Sequence, residues 1–204
     1  MMSNVAIYEL TPETMFNVQG TEPKNPTGFS GAGELMVLVY AMTAVRHIIV
    51  NTQIQIQARQ QADTFMINSW LFVAFCSLKN LLDGVASFCH RHHPCGSDDL
   101  VYFASHKFIQ SDVTFIQKAQ TIICGLRWNG KGFHQAANFA KHEFPFVGMG
   151  AEDKKGEGIY DIRDQNGVGF MYDLVAPCFN QMIQVLARLG QLHRVGNLPS
   201  LQRV

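Results

Sequence analysis

From Glu34 to Asp83 the chain contains neither glycine nor proline, so only its own polarity can interrupt a helix along that stretch. Apolar residues recur there at helical spacing. Leu35, Leu38, Met42, Val45 and Ile49 alternate steps of three and four, which places them on one stripe of a helix packed in a bundle. Polar Gln53, Gln55, Gln57 and Gln60 carry this helix to about Gln61. Asp63 is a candidate N-cap for a second helix, with the seam Ile67, Leu71, Ala74, Leu78, Leu81, Val85 and Phe88. Trp70, Phe72 and Phe75 widen that face, so this helix is expected to be buried on most sides. It should end in Cys89-His90-Arg91-His92-His93-Pro94, where basic groups suit a helix C-terminus and proline forbids continuation.

The rest of the chain extends the pattern in shorter pieces. Ser97, Asp98 and Asp99 predict the cap of a short helix through about Phe108. Ser111-Asp112 predicts another, with Ile116, Ala119, Ile123 and Leu126 as its seam, interrupted by Gly130 and Gly132. A further helix should run from about Phe133 to Glu143, before Pro145. Between Gly148 and Gly169 the chain is glycine- and charge-rich, and Asn166-Gly167 is the preferred centre of a type I′ turn. A small β-hairpin with Val168 to Met171 as its second arm is expected there. The last helix begins near Asp173 with the seam Met171, Val175, Cys178, Met182, Val185 and Leu189, and tolerates Pro177 in its first turn. Residues 1–33 show no sustained period. The sequence therefore predicts an all-α fold: an irregular N-terminal arm (1–33), then a helical bundle of four to six helices (34–204) with a small hairpin before the last helix.

The 204 residues hold 16 Lys+Arg and 16 Asp+Glu, and 47 % are hydrophobic with 15 Phe. Such a chain is too apolar and aromatic to be disordered, and it carries no general basic field with which to coat nucleic acid. Cys76, Cys89, Cys95, Cys124 and Cys178 are odd in number and scattered, which fits reduced thiols better than a disulfide scaffold. The N-terminus carries Glu9 and Glu13 and no basic n-region, unlike a signal peptide. Met36 to Val50 is interrupted by Arg46 and His47, and Met66 to Leu78 falls short of the roughly 20 residues of a membrane span. The expectation is a cytoplasmic protein with no membrane role.

The most informative segment runs from Arg127 to Glu143. If residues 133–143 are helical, His134, Asn138 and His142 fall at i, i+4 and i+8 on one stripe with Lys141 beside them, while Phe133, Ala136, Ala137 and Ala140 form the opposite face. Burying unpaired imidazole, amide and ammonium groups costs about 1–3 kcal/mol each, so this stripe should face solvent, a cleft or a partner subunit. The residue types suit a phosphodiester. Arg127 and Lys141 are the cations to hold and stabilise a phosphorane, His134 a general base or acid, and Asn138 a group to fix its tautomer or bind substrate. That scheme needs no metal and no cofactor. The alternative is a solvated helix face or an inter-helix hydrogen-bond network.

A helical bundle in which Arg127 precedes His134 by a six-residue gap at the start of a late helix resembles the HEPN superfamily, whose motif is Arg, four to six residues, then His. The run Ala137-Asn138-Phe139-Ala140-Lys141-His142 is also similar to an "ANxxKH" segment of some bacterial helical proteins. The architectural resemblance covers about residues 34–195. It implies a metal-independent endoribonuclease, usually a homodimer with both Arg–His sets in a shared cleft, or else an inactive RNA-binding, antitoxin-paired or scaffold domain. The family usually has a polar residue directly after the Arg, where this chain has Trp128 and then Asn129.

Other signals are weaker. Cys89-His90-Arg91-His92-His93-Pro94-Cys95 holds five potential ligands, but zinc sites draw theirs from two spaced pairs, so a His-rich helix terminus is the simpler reading. A zinc site on His134 and His142 would need a further ligand such as Glu143 or His106. No phosphate-binding, dinucleotide or metalloprotease motif occurs. Two functions from different classes follow: a HEPN-like ribonuclease acting on RNA at one local cleft, or a non-catalytic bundle that binds a protein partner or another copy of itself.

Overall fold

The seams become helices where the spacing places them. In the computed structural model, which describes residues 28–57, 64–93, 101–128, 130–142 and 170–193, α1 spans Gly28–Gln57 and α2 Thr64–His92. These two pack along each other, and Leu35, Met42, Val45, Ile49, Leu71, Ala74, Leu78, Val85 and Phe88 are all buried between them and the rest of the core. Gly84 permits their close approach: a Cβ there would lie 3.0 Å from a methyl of Leu38. α3 (Phe115–Gly125) buries Ile116, Ala119 and Ile123, and α4 (Phe133–His142) buries Phe133, Ala136 and Ala137. α5 (Ala176–Leu192) packs against α1, α2 and α3. Every member of its seam, from Met171 to Leu189, is buried. Over the described residues the fold is an all-α bundle with a small hairpin.

Four features depart from the sequence expectation. First, α1 begins at Gly28, inside the stretch read as an arm; residues 1–27 lie outside the described residues.

Second, the expected short helix through Phe108 does not form over residues 101–108, which make a turn at 103–105. Side chains satisfy that backbone instead. The Phe103 N–H donates to Asp83 Oδ1 (3.0 Å), and the Gln120 amide donates to the carbonyls of Phe103 and His106.

Third, a hairpin forms where only a break was expected. β1 (Arg127–Trp128) and β2 (Lys131–Gly132) pair antiparallel, Arg127 opposite Gly132 and Trp128 opposite Lys131. Gly130, just before β2, has φ +74°, the left-handed region that tight turns give to glycine. The hairpin expected around Asn166-Gly167 lies outside the described residues, except that Phe170 and Met171 are π-helical, not strand.

Fourth, the last helix opens with a π-helical turn, Phe170–Val175. Pro177, near the start of α5, has no N–H to give the carbonyl of Asp173, which favours a non-α register there.

Among the described residues, two stretches meet the length and hydropathy of a membrane span, Gly33–Ile54 and Ser69–His92, and the bundle buries 33 % of the first window and 44 % of the second.

Candidate functional site

The hairpin and the start of α4 form one device. Trp128 is 1 % exposed and anchors β1, which packs on the π-helical turn and on α4. Phe133 meets Phe75 of α2 edge-on at 5.4 Å, which fixes the first residue of α4 against the bundle. The Gln135 side chain reaches back to accept the Gly132 N–H (3.0 Å), as the third residue of a capped helix does. The residue between these anchors, His134, is exposed, and so is Asn138 one turn on. His134 and Asn138 therefore point outward, and Phe133, Ala136 and Ala137 opposite them are buried.

His134 and Asn138 line one cavity of about 330 Å³ together with Phe133, with Lys79 and Asp83 of α2, and with the 102–105 turn. That volume sits at the small end of the range for ligand pockets, roughly 300–1,000 Å³. Its opposite wall is ordered by charge. Lys79 Nζ lies 3.1 Å from Asp83 Oδ2, and the other oxygen of Asp83 holds the Phe103 N–H. Lys79 also approaches the face of Tyr102, 6.0 Å from its centroid. The cavity thus combines an imidazole, a carboxamide, a partly neutralised ammonium and an aromatic ring.

Arg127 goes elsewhere. It is exposed, and its Nη1 donates to the carbonyls of Cys124 and Leu126, both at 2.9 Å. These are carbonyls left unpaired at the end of α3, which a cation there both bonds and stabilises. The guanidinium also lies over Gly132, where an added Cβ would sit 3.5 Å from it. Arg127 is not among the residues lining the His134 cavity. Of the five candidate residues, His134 and Asn138 come together and Arg127 stands apart. Lys141 and His142 close α4, but their side chains lie outside what the structure describes. No family model, no curated protein and no solved structure matches the chain. The geometry alone carries the functional argument.

Lys79, Asp83 and Tyr102 were not singled out from the sequence. The available signal was Lys79 and Asp83 four apart within an otherwise apolar helix, a spacing that pairs charges on one face.

The His-rich terminus of α2 forms a separate network. Arg91 pairs with Glu34 (2.8 Å), and its hydrogen bond holds the Glu34 carboxyl below its ordinary value. His93 Nδ1 lies 2.8 Å from Asp112, and His93 Nε2 lies 2.9 Å from His193 Nε2. Burial, then the neighbouring His93 and His92, lowers His193 to about 4, which favours its neutral form near pH 7. Among the described residues no group of three or more His, Cys, Asp or Glu is placed to hold a metal ion. Cys95 lies outside the described residues. Cys178 is buried and Cys124 partly so, and desolvation raises both thiols.

Proposed function

We propose that this protein is a HEPN-like, metal-independent endoribonuclease whose reacting centre is the His134 cavity. One observation carries the reading: an exposed imidazole and an exposed carboxamide, one helical turn apart, line a cavity of about 330 Å³ beside the Lys79–Asp83 pair and an aromatic ring. His134 takes the proton of a ribose 2′-hydroxyl, and the freed oxygen attacks the adjacent phosphorus. The P–O5′ bond breaks, leaving a 2′,3′-cyclic phosphate, and the departing oxygen takes a proton from solvent or from His142. Asn138 orients the imidazole or the substrate, and Lys79 contributes only the charge that its pairing with Asp83 leaves. Arg127 and Lys141 remain the further cations for a strand that extends past the cavity.

The second reading, a non-catalytic interaction bundle, is favoured by the carbonyl bonds of Arg127, which hold in place the guanidinium that the Arg–His motif assigns to phosphate. Both readings include a homodimer. The exposed residues of α1 from Gly33 to Ile54 are Gly33, Val37, Tyr40, Ala44, His47, Asn51 and Ile54, a row with no Asp, Glu, Lys or Arg. An uncharged row about 30 Å long suits a second copy of itself.

Single-stranded RNA incubated with purified protein in excess EDTA tests the first reading. Cleavage to cyclic-phosphate ends is expected from the wild type. Absence of cleavage, or equal cleavage by His134→Ala, sinks it in favour of the second.

A further inference from the structure

α3 and α5 pack face to face, and neither contains a single Asp or Glu. In a chain with as many acidic as basic residues, that is a local departure. Between them lies a groove of about 360 Å³, lined by Phe115 and Lys118 of α3 and by Gln181, Gln184 and Arg188 of α5. It shares no residue with the His134 cavity.

The polar groups here are idle. Among the described residues, Lys118, Gln181 and Gln184 make no side-chain hydrogen bond or ion pair. Arg188 meets only the Phe115 ring, its guanidinium carbon 4.3 Å from the centroid. Stacking orients the guanidinium and leaves its five N–H donors free. Lys79, by contrast, is already paired with Asp83.

Two unpaired cations without a carboxylate select an anion, and Arg presents the fork that matches phosphate oxygens. Two free carboxamides offer both donors and acceptors, which a bare phosphate does not need but the edge of a base does. We propose that this groove binds a nucleotide unit, with the phosphate between Lys118 and Arg188 and the base read by Gln181 and Gln184. The unit is either a free nucleotide or one residue of a single-stranded RNA. The inference does not depend on the chain being a nuclease.

Fluorescence anisotropy with a labelled 2′-O-methyl RNA hexanucleotide tests it, because that strand lacks the hydroxyl needed for cleavage and reports binding alone. Saturable binding is expected, weakened at least about tenfold in K118Q/R188Q. The log–log salt slope should be about −0.7, the value for one phosphate neutralised on a single strand. Gln184→Ala should weaken binding without changing that slope. Unaltered far-UV circular dichroism and melting would show that these exposed substitutions leave the fold intact. Competition by AMP at an affinity like that of the strand assigns the free nucleotide, and strand binding that AMP does not displace assigns RNA. No binding of either ligand at millimolar concentration, or equal binding by wild type and double variant, overturns the proposal.

Discussion

His193 shows how one residue ties distant parts of this chain together. It lies just past α5, yet it bonds His93 at the end of α2, which in turn meets Asp112 in the turn before α3. Its folded value of about 4 is below the ordinary 6.5, so the unfolded chain binds the extra proton more readily. Its contribution to stability is therefore whole above about pH 6.5 and is lost as the pH falls toward 4. His106, lowered by burial and then by His90, acts in the same direction. Glu34, whose value is lowered, loses its contribution only below its ordinary 4.5. Because His193 is only partly buried, solvent screening keeps the effect well below what the full shift implies. Thermal melts from pH 7 to pH 4 should show a falling midpoint, with a shallower fall in His193→Gln. Identical pH profiles for the two proteins would show that the histidine pair does not link folding to protons.

At the scale of elements, the hairpin explains both what the sequence showed and what it hid. Long seams with even three-four spacing were legible because burial on one helix face leaves that period, as in α2 and α5. The short helix before Phe108 was not, because Asp83 and Gln120 replace its hydrogen bonds from elements far away in sequence. Asn-Gly occurs twice in the chain, and the copy at Asn129-Gly130 was overshadowed by the helical pattern around it. Trp128 looked like a departure from a polar motif; in the fold it is the buried anchor of β1. In the candidate site, outward exposure of His134 and Asn138 was readable from the apolar face opposite them. The guanidinium of Arg127 was not, since its partners are main-chain carbonyls. Gly130 sits in open space at positive φ, so Gly130→Ala tests backbone strain alone. It should cost about 1–2 kcal/mol in urea unfolding with an unchanged m-value. A cost near zero would mean that the turn does not need its left-handed residue.

At the scale of the molecule, charge is balanced overall but unevenly distributed. α1 shows an uncharged row to the outside, while α3 and α5 hold cations without acids. The proposed dimer uses the first of these surfaces. Sedimentation at micromolar concentration should give a dimer, and Val37→Glu with Ile54→Lys should give a folded monomer, because desolvating those charges opposes association. A wild-type monomer would remove the α1 row from the account, and partition of the protein into lipid vesicles would assign that row to a membrane instead.

The central claim is that the reacting centre is the His134 cavity, with Arg127, bonded to carbonyls at the end of α3, outside it. Single-turnover cleavage of single-stranded RNA in EDTA, compared for wild type, His134→Ala and Arg127→Ala, tests it directly. The account predicts a loss of about 10²-fold or more for His134→Ala, in line with removal of a general base, and a clearly smaller loss for Arg127→Ala. Equal activity in wild type and His134→Ala, or a larger loss from Arg127→Ala than from His134→Ala, would contradict it.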